Sequence, residues 1–264
     1  MSLPFWISDG VLITFQATLI VLPRARPPSV LRPLYAPWWA LVPAVSIAAV
    51  VGAIALLPGT ADFLTYLALV GTPILAAVAL GQVVVGARPR WALGVLPLLA
   101  VAWAAKDSLS GELAALALTS LGCVTLGWLL AAVTPLSWLK VGIVVAAIVD
   151  SILVFNDLLQ QPNATLNAAA PAAGLPQLQF VSFGSAVMGY GDFFVAAVLG
   201  ALLRFEATRQ APVALACLVI AATFDLLFFV TDELPATVPV ALALLTSELW
   251  RLRSRRRERL SVAA

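Results

Sequence analysis

Apolar runs of roughly 17 to 25 residues follow one another along nearly the whole chain, each the length of helix that crosses a hydrocarbon core of about 30 Å. That repetition restricts the fold more than any motif, because lipid offers a backbone no hydrogen-bond partner and an open chain can cross it only as helix. Hydrophobic residues make up 62% of the sequence and charged ones 11%, with mean hydropathy +1.03. The breaks between runs predict an all-α polytopic bundle of nine transmembrane helices: 5–22, 38–57, 63–85, 91–105, 113–133, 141–159, 178–203, 213–231 and 234–250. The first run carries Asp9 and lacks a basic leader, so it reads as a retained span rather than a cleaved signal.

Charge sets the orientation. Of the 15 Lys and Arg residues, all but Lys106 fall in loops after odd-numbered runs or in the tail from Arg251 to Arg259. Positive residues stay on the cytoplasmic side, which predicts an N-terminus outside, a cytoplasmic C-terminus and an external loop from Gln160 to Gln177. The basic tail suits a solvated end or contact with anionic membrane lipid. Trp38, Trp39, Trp91 and Trp250 stand at run ends, where an aromatic belt is expected.

The chain has no histidine, which excludes a His-Glu-x-x-His zinc site and a histidine-activated serine. Cys123 and Cys217 sit alone in apolar runs and read as core residues, so neither metal nor cofactor is expected. Nothing in the charge pattern suggests nucleic acid.

What remains is acid. Asp9, Asp150, Asp192 and Asp225 lie inside apolar runs, where an ionised carboxylate costs roughly 2.5–3.5 kcal/mol even on the mildest insertion scale. Asp9 is expected to be solvated near the outer surface, and Asp225 has no evident role. The last four runs contain no Lys or Arg to neutralise Asp150 or Asp192. Asp150 falls about nine residues from the outer end of its run and Asp192 about fourteen residues into the next, compatible depths at a helical rise of 1.5 Å. Two carboxyls that meet there share one proton, the arrangement in which one acid activates water as general base while the other polarises a carbonyl. Gly189 and Gly191 clear side chains from around Asp192, leaving room for backbone or substrate. An unwound substrate segment could pair there as an extended strand. Small-residue helix packing accounts for the same glycines without catalysis.

The stretch Gly189–Tyr190–Gly191–Asp192, followed by "FFVAAVLGALL", resembles the Gly-x-Gly-Asp motif of presenilins and signal peptide peptidases, the intramembrane aspartyl proteases. Asp150 followed by "SILVF" is similar to that family's other catalytic helix, and Pro235–Ala236–Thr237 stands where the family carries Pro-Ala-Leu. The resemblance covers the last four runs; the first five match in number and hydrophobicity alone. It implies a presenilin-like fold of prokaryotic type in the plasma membrane, with residues 1–140 as scaffold, 141–250 as catalytic core and 251–264 as basic tail. It implies catalysis by Asp150 and Asp192, and substrate contacts from Gly189, Tyr190, Gly191, Pro235, Ala236 and Thr237. The expected partners are transmembrane peptides or proteins and membrane lipids. With the loop between the two acids outside, the orientation matches signal peptide peptidase and implies type II segments or remnant signal peptides as substrates.

The chain departs from the family at Val149, where a tyrosine is usual, and at Thr237. "DELPAT" also reads as plain helix initiation, with Asp232 as cap and Pro235 in the first turn. Two alternatives use the same acids. A proton-coupled transporter would relay protons through Asp150, Asp192 and Asp225, although no inverted repeat is visible. A type IV prepilin peptidase shares Gly-x-Gly-Asp but carries lysine where this chain has Phe194.

Overall fold

The computed structural model describes residues 3–57, 59–169, 171 and 174–262, with side chains described through Ser254. The side chains of Arg255, Arg256, Arg257 and Arg259, on which the reading of the basic tail partly rests, lie outside the described residues.

Helix dominates, as the apolar runs require. In chain order the helices are α1 (Phe5–Val21), α2 (Val42–Leu56), α3 (Thr60–Val78), α4 (Val95–Ala104), α5 (Leu109–Val133), α6 (Leu136–Phe155), α7 (Gln160–Ala168), α8 (Tyr190–Phe205), α9 (Gln210–Phe224) and α10 (Thr237–Val262). Short 3₁₀ turns lead into α2 and α4 and extend α9. Five helical segments are long and apolar enough to cross a membrane: Pro37–Leu56, Thr60–Val83, Leu109–Val133, Leu136–Phe155 and Gln210–Phe229. Phe5–Val21 and Pro89–Ala104 are apolar but shorter. Large apolar side chains such as Val70, Ile74, Leu96, Ile148 and Val219 are exposed on the outer faces of these helices, a surface suited to lipid rather than water.

The centre of the bundle is α8, which packs along α5 and also meets α1, α6 and α10. From Phe193 to Leu203 its side chains are almost all buried, with Phe193, Leu199, Leu202 and Leu203 fully enclosed. A helix buried on every side needs no amphipathic stripe, which is why its sequence is apolar all round.

Two features depart from the sequence reading. The run 178–203 is not one helix: α8 begins at Tyr190 and is preceded by an antiparallel hairpin of β1 (Val181–Phe183) and β2 (Ala186–Met188). The register pairs Val181 with Met188, Ser182 with Val187 and Phe183 with Ala186. Gly184, at φ 60°, makes the two-residue turn, a backbone state that suits glycine. Hydropathy counts Val, Phe, Ala and Met as helix length, whereas the Gly-Ser step and the β-forming residues beside it favour a hairpin. Asp192 consequently lies in the first turn of its helix, not fourteen residues into it. The second departure is α7, a short polar helix inside the segment read as a loop.

Candidate active site

The candidate site is assembled from the starts of two helices and the side of a third. On α6, the buried residues Leu139, Gly142, Ile143, Ala146, Ala147, Asp150 and Val154 form one stripe at helical spacing. Asp150 therefore faces the bundle interior, 6% exposed, while Val141, Ile148 and Ile152 face outward.

Asp150 is held by the beginning of α10. The Thr237 hydroxyl donates to Asp150 Oδ2 at 2.6 Å, and the Thr237 backbone N–H points to the same oxygen at 3.4 Å. Thr237 is the first residue of α10 and fully buried, so the unpaired amides of a helix start and a side-chain donor converge on one carboxyl. Pro235 is buried just upstream, and the Ala236 carbonyl accepts from Gln16 Nε2 of α1 at 2.9 Å. The Pro235–Ala236–Thr237 segment thus serves as a strap between α1 and Asp150, with Thr237 engaging the acid itself.

Asp192 occupies the third position of α8, where its Oδ2 accepts the Gly189 N–H at 3.0 Å. A Cβ on Gly189 would lie 2.8 Å from that oxygen, so the bare backbone leaves the space the carboxyl folds into. Asp150 lies within coulombic reach of Asp192. The two acids therefore form one electrostatic unit, each with its Oδ2 fixed by the protein.

The other expected site residues divide. Gly191 packs against Ile47 of α2, as small-residue helix packing predicts. Tyr190 does not join the acids: its hydroxyl bonds Thr72 of α3, its carbonyl faces Cys123 of α5, and the ring lies in that interface. Two positions separate Tyr190 from Asp192, about 200° round a helix, so the two side chains leave α8 on opposite faces. Asp9 also departs from expectation. It is 7% exposed rather than solvated, and its carboxyl lies beside that of Asp225, whose buried Oδ2 has no hydrogen-bond partner among the described residues; Phe5 and Trp6 of α1 pack their rings on Phe228 and Phe229 nearby in sequence.

The hairpin fixes where α8 starts. At its turn the Gly184 N–H donates to Glu112 Oε2 of α5 at 2.6 Å, and the Ser185 N–H donates to Ser8 Oγ of α1 at 3.1 Å. One residue after β2, Gly189 begins the turn that carries Asp192. Toward the other end of α6, α8 and α10, Lys140 of α6 and Arg251 of α10 both bridge Glu206, at 2.7 and 2.5 Å, and Glu248, at 3.0 and 2.9 Å. Neither the hairpin ties nor this ion cluster was visible as a motif. Gln16 carried a signal that could have been read: a lone amide in an apolar helix must find a partner.

Among the described residues no group of three or more His, Cys, Asp or Glu side chains is arranged to hold a metal ion. No family model, curated protein or solved structure matches the chain.

Proposed function

We propose that this protein is an intramembrane aspartyl protease that hydrolyses peptide bonds within transmembrane segments. The observation that carries the proposal is that Asp150 and Asp192, on separate helices, lie within coulombic reach of each other, with no basic side chain bridging them among the described residues. Asp150, which receives a hydroxyl and an amide donor, is assigned as the carboxylate and general base. Asp192 carries the proton. Asp150 takes a proton from water as the oxygen bonds to the scissile carbonyl carbon, and Asp192 gives its proton to the carbonyl oxygen. Collapse of the resulting gem-diol returns a proton to Asp192, breaks the C–N bond and passes the proton on Asp150 to the leaving nitrogen.

An apolar groove of about 450 Å³ runs between α6 and α10, lined by Ala147, Ile148, Ser151, Ile152, Val238 and Leu242 among others. Neither acid lines the groove, but Ser151 and Val238 are the sequence neighbours of Asp150 and Thr237, so a lipid-embedded helix lying there would rest on the outer side of the two helices that hold Asp150. The proposal extends to nine membrane-crossing helices in a presenilin-like arrangement, an outer N-terminus and a cytoplasmic C-terminus. Type II segments or remnant signal peptides are then the substrate class, and the hairpin preceding Gly189 offers backbone for an unwound segment to pair with.

The test is cleavage of a signal-peptide reporter by purified wild type, Asp150→Ala and Asp192→Ala proteins. Loss of turnover in both variants, with unchanged thermal unfolding in detergent, is expected because one carboxyl cannot fill both roles. Turnover by either single variant rejects the pair. Proton-coupled transport is the second reading, favoured by the additional Asp9–Asp225 pair; proton-driven uptake into vesicles without proteolysis would establish it.

A further inference from the structure

Away from the acids, the chain that leaves α1 and the end of α8 enclose a small polar pocket of about 240 Å³, lined by Ala25, Arg26, Pro27, Arg204 and Phe205. Its frame is built rather than incidental. Gln210, 4% exposed at the start of α9, donates Nε2 to the carbonyls of Pro23 at 3.0 Å and Gly200 at 2.9 Å, and its Oε1 accepts from Arg24 Nη1 at 2.8 Å. Arg204 donates Nε to the Arg24 carbonyl at 2.8 Å, which orients its guanidinium while leaving the terminal nitrogens uncommitted among the described hydrogen bonds.

The charge here is not neutralised. Neither Arg26 nor Arg204 has an acidic partner among the described residues. Glu206, two positions beyond Arg204, is already held by Lys140 and Arg251. Guanidinium forks match phosphate oxygens, and Ala25, Pro27 and Phe205 give the same pocket an apolar rim. Its position where α1 and α8 both end is the level at which an apolar span gives way to headgroups.

We propose that Arg26 and Arg204 form a binding site for a phosphate group, presented by the headgroup of an anionic phospholipid. The site is separate from Asp150 and Asp192 and stands whether or not the chain is a protease. Bound there, the headgroup ties the α1 exit to α8, the helix that carries Asp192.

The experiment uses the full chain in uncharged detergent, with retention of phosphatidylglycerol or phosphatidylcholine followed by native mass spectrometry. One phosphatidylglycerol should be retained over phosphatidylcholine, and Arg26→Gln and Arg204→Gln should each reduce that preference by about fivefold, the value of roughly one interfacial arginine. Arg26 is exposed, so its replacement does not threaten folding. Arg90→Gln is the control, an arginine lying over Trp91 at 5.5 Å, and should leave the preference unchanged. Equal retention of the two lipids, or equal loss in the Arg90 control, overturns the site. Displacement of the lipid by inorganic phosphate alone overturns the headgroup assignment in favour of a soluble anion.

Discussion

The Thr237 hydroxyl donates to Asp150 Oδ2 at 2.6 Å, joining the first residue of α10 to the side of α6 in the bundle interior. A hydrogen bond to a charged group contributes about 1.5–3 kcal/mol, and this one is removed by Thr237→Val with almost no change in shape. If Asp150 is the general base, kcat for a membrane-segment substrate should fall by about 10- to 100-fold. Thr237→Ser retains the donor and should recover most of the rate. Equal kcat in the valine and serine variants would show that the hydroxyl does not hold the reacting acid.

Gly189 makes a second, steric prediction. Its φ of −65° is open to any residue, so alanine costs little in backbone strain. The added Cβ would nevertheless sit 2.8 Å from Asp192 Oδ2 and push the carboxyl from the N–H that holds it. Gly189→Ala should therefore lose at least about tenfold in turnover through that one hydrogen bond, with thermal unfolding nearly unchanged. A large drop in unfolding temperature would locate the role of Gly189 in folding instead.

The contrast between these residues and their surroundings explains what the sequence could reveal. Asp150 and Asp192 were legible as candidates because a carboxyl in an apolar run has few uses, whereas the depth read for Asp192 counted hairpin residues as helix. The hairpin was not: a hydropathy window adds Val181, Phe183, Ala186 and Met188 to the helix after them, and only the Gly184 turn separates the two states. Thr237 looked like a departure from an expected leucine, and its hydroxyl became meaningful only when Asp150 appeared opposite. Asp9 and Asp225 are over two hundred residues apart, and nothing local in either run points to the other. Pairings between distant helices depend on bundle packing, which periodicity does not encode.

The Asp9–Asp225 pair makes a prediction about stability. Asp225→Asn supplies an amide donor to Asp9 in nearly the same shape, so stability in detergent should be close to wild type. Asp225→Leu leaves the Asp9 carboxyl, 7% exposed, without that partner and should cost about 1–3 kcal/mol. Thermal unfolding of the two variants distinguishes them. Indistinguishable losses would mean that the contact between the carboxyls contributes nothing to holding α1 against the end of α9.

Glu233, in the loop between α9 and α10, gives a pH prediction. Partial burial pushes its carboxyl above the ordinary value of 4.5, and the negative charges of Asp157 and Asp232 push it further. The folded state therefore binds this proton more tightly than the unfolded chain does. Its contribution is fully present below pH 4.5 and is lost as pH rises through the elevated folded value. Glu233→Gln removes the ionisation, so the variant should unfold at a higher temperature than wild type near pH 7, and the difference should close at about pH 4. Water screens a group this exposed, which limits the gain to below about 0.5 kcal/mol. Asp157→Asn should give part of the same gain by removing one of the two repelling charges. A Glu233→Gln difference of equal size at both pH values would assign the effect to packing, because an electrostatic origin requires it to vanish once the wild-type carboxyl is protonated in both states.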